Sequence, residues 1–279
     1  MQRSVALEDV KVIDLTRVRA GPTCARVFAD FGADVIKVEP PPGVDPNEGM
    51  SGPRHGYDML NLHRNKRSLT LDLKQPAARE VLVRLVESAD VVLENFRPDV
   101  KERLGLDYET LAGINPRIVL ASVSGFGQSG PYRDKGGFDQ IAQGMGGLMG
   151  VTGEADGRPM RAGIAVADSS AGLYAALGVL VALKERERSG RGQWVQTSLL
   201  EAQIGMMDFQ AARYLVDGEV PPRTGNEHPY STPMGVYPTK DGHINIAAGG
   251  DGNWRRLCEA LERPDLLEDP GLRREADRF

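Results

Sequence analysis

Apolar positions along the chain fall into short, β-branched runs separated by stretches of helical spacing. "VKVIDL" (10–15) is such a run, and the turn "RVRAGP" after it carries Pro22, which suits the first turn of a helix. "TCARVFADFG" then places Ala25, Phe28 and Phe31 at helical spacing, and Gly32 stops it. With the next strand, "ADVIKVE", this predicts a complete βαβ unit. The pattern recurs. "RSLTLDL" (67–73) alternates as a strand does, and Pro76 opens a helix with Ala78, Leu82, Leu85 and Val86 on one face. "ADVVLENF" reads as a buried strand, "PDVKERLGLDYETLAGI" as two short helical pieces and "RIVLASVSGFG" as a further strand. Buried strands alternating with helices predict an α/β fold, a Rossmann-like, doubly wound parallel sheet.

After a glycine-rich passage (130–163), a long helix is expected to begin near Asp168 and to end in the basic "KERERSGRG". "QWVQTSL" predicts a strand and "LEAQIGMMDFQAARYLVDG" one more helix. The turn-laden "EVPPRTGNEHPYSTP" marks a boundary, and "GVYPTKDGHINIAA" predicts a hairpin closed at Asp241-Gly242. The expected domains are a large Rossmann-like one over 1–199, a linker helix and turn over 200–223, and a smaller α+β one over 224–279. The last of these stops in polar, helix-prone sequence, "LEDPGLRREADRF", and is expected to be truncated.

Charge narrows the function classes. The formal net charge of −5 argues against nucleic acid and acidic membranes as partners, so an anionic ligand must be met by local cations. The N-terminus has no signal-peptide pattern, no run is read as spanning a bilayer, and the apolar Ala171–Leu183 stretch reads as a buried helix. Cys24 and Cys258 are too few and too far apart for a disulfide framework, and the four histidines lack metal-ligand spacing. A cytoplasmic protein without a metal is expected.

Several nucleotide and hydrolase motifs are missing. The first βα turn is "TRVRAGP" and not G-x-G-x-x-G, there is no P-loop, and "VSGFGQSGP" is no nucleophile elbow. What remains is a scatter of cations at strand ends and turns: Arg17, Arg19, Lys66, Arg67, Lys74, Arg97 and Arg103. Any one of them is simply a solvated charge. Together they lie near the carboxyl ends of strands, where open α/β sheets bind ligands. One acid stands apart. In "GIAVADSSAGLYAALGVLVAL", Asp168 is the sole charge among small and apolar residues. The residues alone favour a helix cap; the other reading is a nucleophile.

Eight segments, in order and covering nearly the whole chain, carry a resemblance: "DLTRVRAGP", "GADVIKVEPP", "NKRSLTLDL", "LENFRP", "GFDQIAQGMGG", "GIAVADSSAGLYAALG", "SGRGQWVQTSLLEA" and "RTGNEHPYSTP". The chain resembles the family III CoA-transferases (CaiB/BaiF type, the formyl-CoA and carnitine CoA-transferases). The resemblance implies coenzyme A, as an acyl-CoA, and a carboxylic acid as substrates, no metal, and an interlocked homodimer. It implies Asp168 as the nucleophile that forms a mixed anhydride and then an aspartyl-CoA thioester. It further implies CoA-binding positions at Val18, Arg19, Ala20, Leu71, Lys74, Asn95, Phe96, Arg97, Arg103, Gly137, Phe138 and Asp139. A base that contacts the ribose phosphate in some members falls at Pro40 here, so that contact is expected to be absent or supplied elsewhere. Helical N–H groups beside Asp168 are expected to stabilise the oxyanion. "GGLMGVTG" and "EHPYSTPMG" are either covers for the site or ordinary turns. Met206, Met207, Phe209 and Tyr214 either line an acyl pocket or belong to the core.

Two alternatives stay open. The 2-methylacyl-CoA racemases share many of these blocks, but use a histidine where this chain has Phe138, which cannot accept a proton. A non-catalytic CoA-binding subunit or fragment is the other. The donor and acceptor acids are not set by the sequence, although the glycine run of oxalate-using relatives is missing from "HPYSTPMG".

Overall fold

A computed structural model describes residues 4–45, 48–50 and 52–278. The β-branched runs form six strands: β1 (Lys11–Asp14), β2 (Asp34–Glu39), β3 (Arg67–Thr70), β4 (Val91–Glu94), β5 (Val119–Ser124) and β6 (Trp194–Ser198). All pair in parallel, in the order β3-β2-β1-β4-β5-β6. Between them run α1 (Ala20–Asp30), α2 (Tyr57–His63), α3 (Pro76–Glu87), α4 (Pro98–Leu104), α5 (Tyr108–Ile114), α6 (Asp139–Met145), α7 (Leu148–Val151) and α8 (Val166–Ser189), with α9 (Leu199–Gly205) and α10 (Asp208–Asp217) after β6.

Strand alternation sends successive residues to opposite faces, and each face is covered. Val12, Leu93, Val119 and Ala121 meet Phe28 of α1, Ala175 of α8 and Ala202 of α9 on one side. Ile13, Val92 and Leu120 meet Leu82 of α3 and Leu111 of α5 on the other. Phe28 is wholly buried, which contributes about 2–3 kcal/mol of apolar transfer.

Helix α8 is long and apolar enough to cross a bilayer by length and composition, contrary to the reading of the sequence. Small buried residues (Ala167, Ala171, Ala175, Ala182) let it sit as a core helix against α1, α9 and the sheet. The closest approach is at Gly172. A Cβ there would stand 2.4 Å from the Ala20 carbonyl oxygen, so only glycine permits this crossing. The helix expected over 200–218 is instead broken into α9 and α10, because Asp208 adopts a left-handed φ of +45°.

The chain divides into two compact units, 1–148 with 162–212, and 149–161 with 213–279. This differs from boundaries drawn at 199 and 223. The reason is Arg223, whose guanidinium donates to the carbonyls of Gly150 (3.3 Å), Glu154 (3.3 Å) and Gly157 (2.7 Å) and so ties the earlier segment into the second unit. That unit holds the hairpin β7 (Met234–Pro238) and β8 (His243–Ala247), closed through Asp241-Gly242 as expected. Three helices follow, α11 (Asp251–Ala260), α12 (Asp265–Glu268) and α13 (Glu275–Arg278). The terminal segment is not left loose: buried Arg278 donates to Asp251 (2.9 Å) and stacks over Trp254.

Candidate active site

In the first unit, a cleft of about 840 Å³ opens at the carboxyl ends of β1, β4 and β5. Strand order reverses between β1 and β4, which is where doubly wound sheets bind ligands. The turn after β1 forms one wall and rests on a buried ion cluster. Asp14 is fully buried; its carboxylate accepts from Thr16 N (2.9 Å), Thr16 Oγ (2.5 Å) and Lys66 Nζ (2.9 Å), while Lys37 donates to the Thr16 carbonyl. Burial alone would raise the Asp14 pKa, but Lys37 and Lys66 hold it well below the usual carboxylate range. His63, beside Lys66, is pushed down to about 4 by burial and then by that cation. It is a structural neighbour of the turn.

The turn itself is clamped from β4. Asn95 Oδ1 accepts from Arg17 N (2.8 Å), and Asn95 Nδ2 donates to the Arg17 carbonyl (2.7 Å). The next residue, Val18, has a φ of +65°, a conformation that costs a β-branched residue about 1–3 kcal/mol. Arg19 follows and donates to Asp58 (2.7 Å). Arg17 donates to Asp45 (2.6 Å) and lies 5.9 Å from the Phe96 ring centre.

Asp168 sits in the first turn of α8, on the cleft side. It is not the cap: that position is Ala165, which offers no side-chain acceptor. The capping group comes from α6. Asp139 Oδ1 accepts from the N–H groups of Ala167 (2.9 Å) and Asp168 (3.3 Å), and its Oδ2 from Gln143 Nε2 (2.6 Å). The Ser169 N–H goes to the Ala165 carbonyl and the Val166 N–H to that of Ile164. The expected oxyanion donors at this helix end are therefore already committed. The Asp168 carboxylate accepts no hydrogen bond from the described residues. Burial first, and then the negative charge of Asp139, push its pKa up to about 6, and Arg19 acts in the opposite direction.

Of the residues expected to bind CoA, the cleft gathers Val18, Arg19, Ala20, Asn95, Phe96, Arg97, Gly137, Phe138 and Asp139 around Asp168. Leu71, Lys74 and Arg103 are not among its walls. Leu71 packs on the second core face, Lys74 lies exposed before α3, and Arg103 pairs with Asp99 on α4 (3.3 Å). Asn95 and Asp139 are present, but Asn95 spends its polar atoms on the Arg17 backbone, and Asp139 spends its own on the Ala167 and Asp168 N–H groups and on Gln143. Phe138 is 60% exposed and offers a flat apolar surface at the rim. Gly137 is required for space, since a Cβ on it would stand 2.2 Å from Gly125 Cα. Met206, Met207, Phe209 and Tyr214 line no part of the cleft, and Met206, Phe209 and Tyr214 are exposed instead of core.

The sequence reading missed Lys37, Arg54, Arg133 and Lys135, all in the walls. Arg54 pairs with Glu39 (2.9 Å) and so brings charge beside Pro40, where the ribose-phosphate contact is expected to be absent or supplied elsewhere. Cations along the walls, with Pro41, Met59 and Phe96 between them, suit a long ligand that is anionic at one end and apolar along its length. Among the described residues, no three His, Cys, Asp or Glu are grouped to hold a metal.

The sequence profile described as CoA-transferase family III matches residues 7–279. A succinate–glutarate CoA-transferase from Agrobacterium fabrum is 45% identical over 276 residues, covering 96% of this chain and 69% of that protein. A succinyl-CoA–D-citramalate CoA-transferase from Chloroflexus aurantiacus is 45% identical over 270 residues, covering 95% and 67%. The chain thus spans about two thirds of the length of these relatives. Among solved structures, a CAIB/BAIF family protein from Brucella suis superposes with a TM-score of 0.84 at 38% identity, over 99% of this chain and 75% of that one.

Proposed function

The chain belongs to CoA-transferase family III, and on that premise we propose that its reaction runs through covalent intermediates on Asp168. The protein moves CoA from an acyl-CoA thioester to a free carboxylate. One observation carries the choice of residue. Asp168 is a half-buried carboxylate facing the cleft, without a hydrogen-bond donor among the described residues and with a cation, Arg19, acting on it.

Above about pH 6 this carboxylate is ionised and can attack. Its oxygen adds to the thioester carbonyl, the C–S bond breaks, and a mixed anhydride and CoA thiolate result. The thiolate adds to the aspartyl carbonyl and expels the donor acid, which leaves an aspartyl thioester. The acceptor carboxylate attacks that carbonyl and releases the thiolate. Finally the thiolate attacks the acceptor acyl carbonyl, and Asp168 is regenerated. One thioester is lost and one is formed, so no external energy source is required. Water has to be kept from the anhydride throughout. With the α8 N–H groups committed, the Arg19 guanidinium is the group we assign to the developing oxyanion, a role worth about 3–4 kcal/mol in comparable sites.

Dicarboxylic acids are the proposed substrate class, supported by the names of the two relatives above. A homodimer is also proposed. Leu173, Leu177 and Val181 form an apolar stripe on α8 at helical spacing, each more than half exposed, and sedimentation at twice the chain mass is the corresponding check.

The test of the mechanism is isotope exchange. In the unaltered protein, labelled succinate should enter succinyl-CoA without any second acid. Asp168→Asn should reduce that exchange by roughly 10⁴-fold or more while CoA still binds. Exchange surviving in the variant would remove Asp168 from the chemistry.

A further inference from the structure

Resting on the reading of Asp168 as nucleophile, we propose that Asp139 is a positioning residue for the transfer reaction: its carboxylate, latched by Gln143, fixes both the place and the charge state of Asp168.

The latch is a chain of bonds from α6 to the segment that carries the nucleophile. Asp139 takes the N–H groups of Ala167 and Asp168 itself. Gln143, fully buried, donates to Asp139 Oδ2 (2.6 Å) and to the Ile164 carbonyl (3.2 Å), and accepts from Ala162 N (2.9 Å). Residues 162–168 are thereby held by two side chains one helical turn apart. A cap alone does not need a charge, because asparagine or serine serves as well. A carboxylate at this point adds something a neutral cap would not: a like charge next to the attacking group. Like charges in one site make one carboxyl harder to ionise and so more basic. A more basic carboxylate is the better nucleophile toward a thioester.

Beyond the cations of the cleft walls, the charged groups on the elements packed against the start of α8 are few. Arg19, in the turn before α1, opposes Asp139. On α1 itself Arg26 bonds Asn61, and Asp30 bonds Arg64. The single acid of α9, Glu201, bonds Ser198, while β5 and β6 carry no charged residue. Within α6, Asp139 is the only charge, so the effect can be removed by one substitution.

Asp139→Asn keeps an acceptor for the helix and removes the charge. The acid limb of its pH–rate profile should move down by roughly one unit, with KM for acyl-CoA unchanged. A profile that superimposes on that of the unaltered protein would overturn the proposal, and so would a raised KM with an unmoved profile, which is the signature of a CoA contact. Asp139→Ser is the second neutral cap and should shift the limb in the same direction. If neither variant folds, a carbon-13 carboxyl titration of the unaltered protein decides. An Asp168 signal that responds to the ionisation of Asp139, the two titrating as a coupled pair, supports the arrangement, and an Asp168 signal indifferent to it overturns the proposal, since burial alone also raises this carboxyl. Failure of the nucleophile reading is separable, because Asp168→Asn would then retain isotope exchange whatever Asp139 does.

Discussion

Asp168 binds its proton more tightly folded, with a pKa near 6, than unfolded, where 3.8 applies. Its contribution to stability therefore rises as pH falls from about 6 towards 4. At pH 7 the ionised group costs the fold about 2 kcal/mol, the burial shift being discounted for partial exposure. Asp168→Asn should remove that cost and raise Tm at pH 7 by roughly 4–8 °C, while abolishing transfer; a lowered Tm would mean the carboxylate makes a favourable contact. Asn95 is the converse case. Asn95→Ala removes both bonds to the Arg17 backbone and should cost about 1–3 kcal/mol. With the clamp gone, Val18 can leave its left-handed conformation, so KM for acyl-CoA should rise, and an unchanged KM would count against the clamp. The motifs pick out Asn95 and Asp139, which both stand in the walls of the cleft, but which way their polar atoms face was not legible. Asn95 meets backbone groups 78 residues away and Asp139 meets backbone N–H groups about 28 residues away, besides nearby Gln143, and backbone amides leave no mark in a sequence.

The strands and their order of appearance were readable because fully buried parallel strands need unbroken β-branched runs. The break between α9 and α10 was not, since "GMMDFQ" continues helical spacing and only the backbone angle of Asp208 ends it. The packing of α8 on α1 depends on one residue at Gly172, a turn beyond Asp168. Gly172→Ala would place a methyl against the Ala20 carbonyl and Thr23. Pushing the helices apart should cost about 1–3 kcal/mol and lower Tm by roughly 2–10 °C. It should also lower kcat, because the crossing sets the distance from Asp168 to the Arg19 turn. A calorimetric scan and a rate measurement check both, and a neutral result in the two would show that the crossing has slack.

On the scale of the molecule, a chain of net charge −5 gathers cations along one cleft of its first unit, so an anionic substrate is met by the local field and not by the global one. The division into units was the least legible feature, because Arg223 recognises three carbonyls between 66 and 73 residues earlier and carbonyls are common to every residue. Family membership was legible, since eight separate segments carry it. The most direct test of covalent transfer is a trapping experiment: incubate the protein with succinyl-CoA at pH 7, quench with hydroxylamine, and map the peptides by mass spectrometry. A hydroxamate on Asp168, formed only when the thioester is present, is the predicted result. An unmodified Asp168 in protein that still turns over the thioester would contradict it.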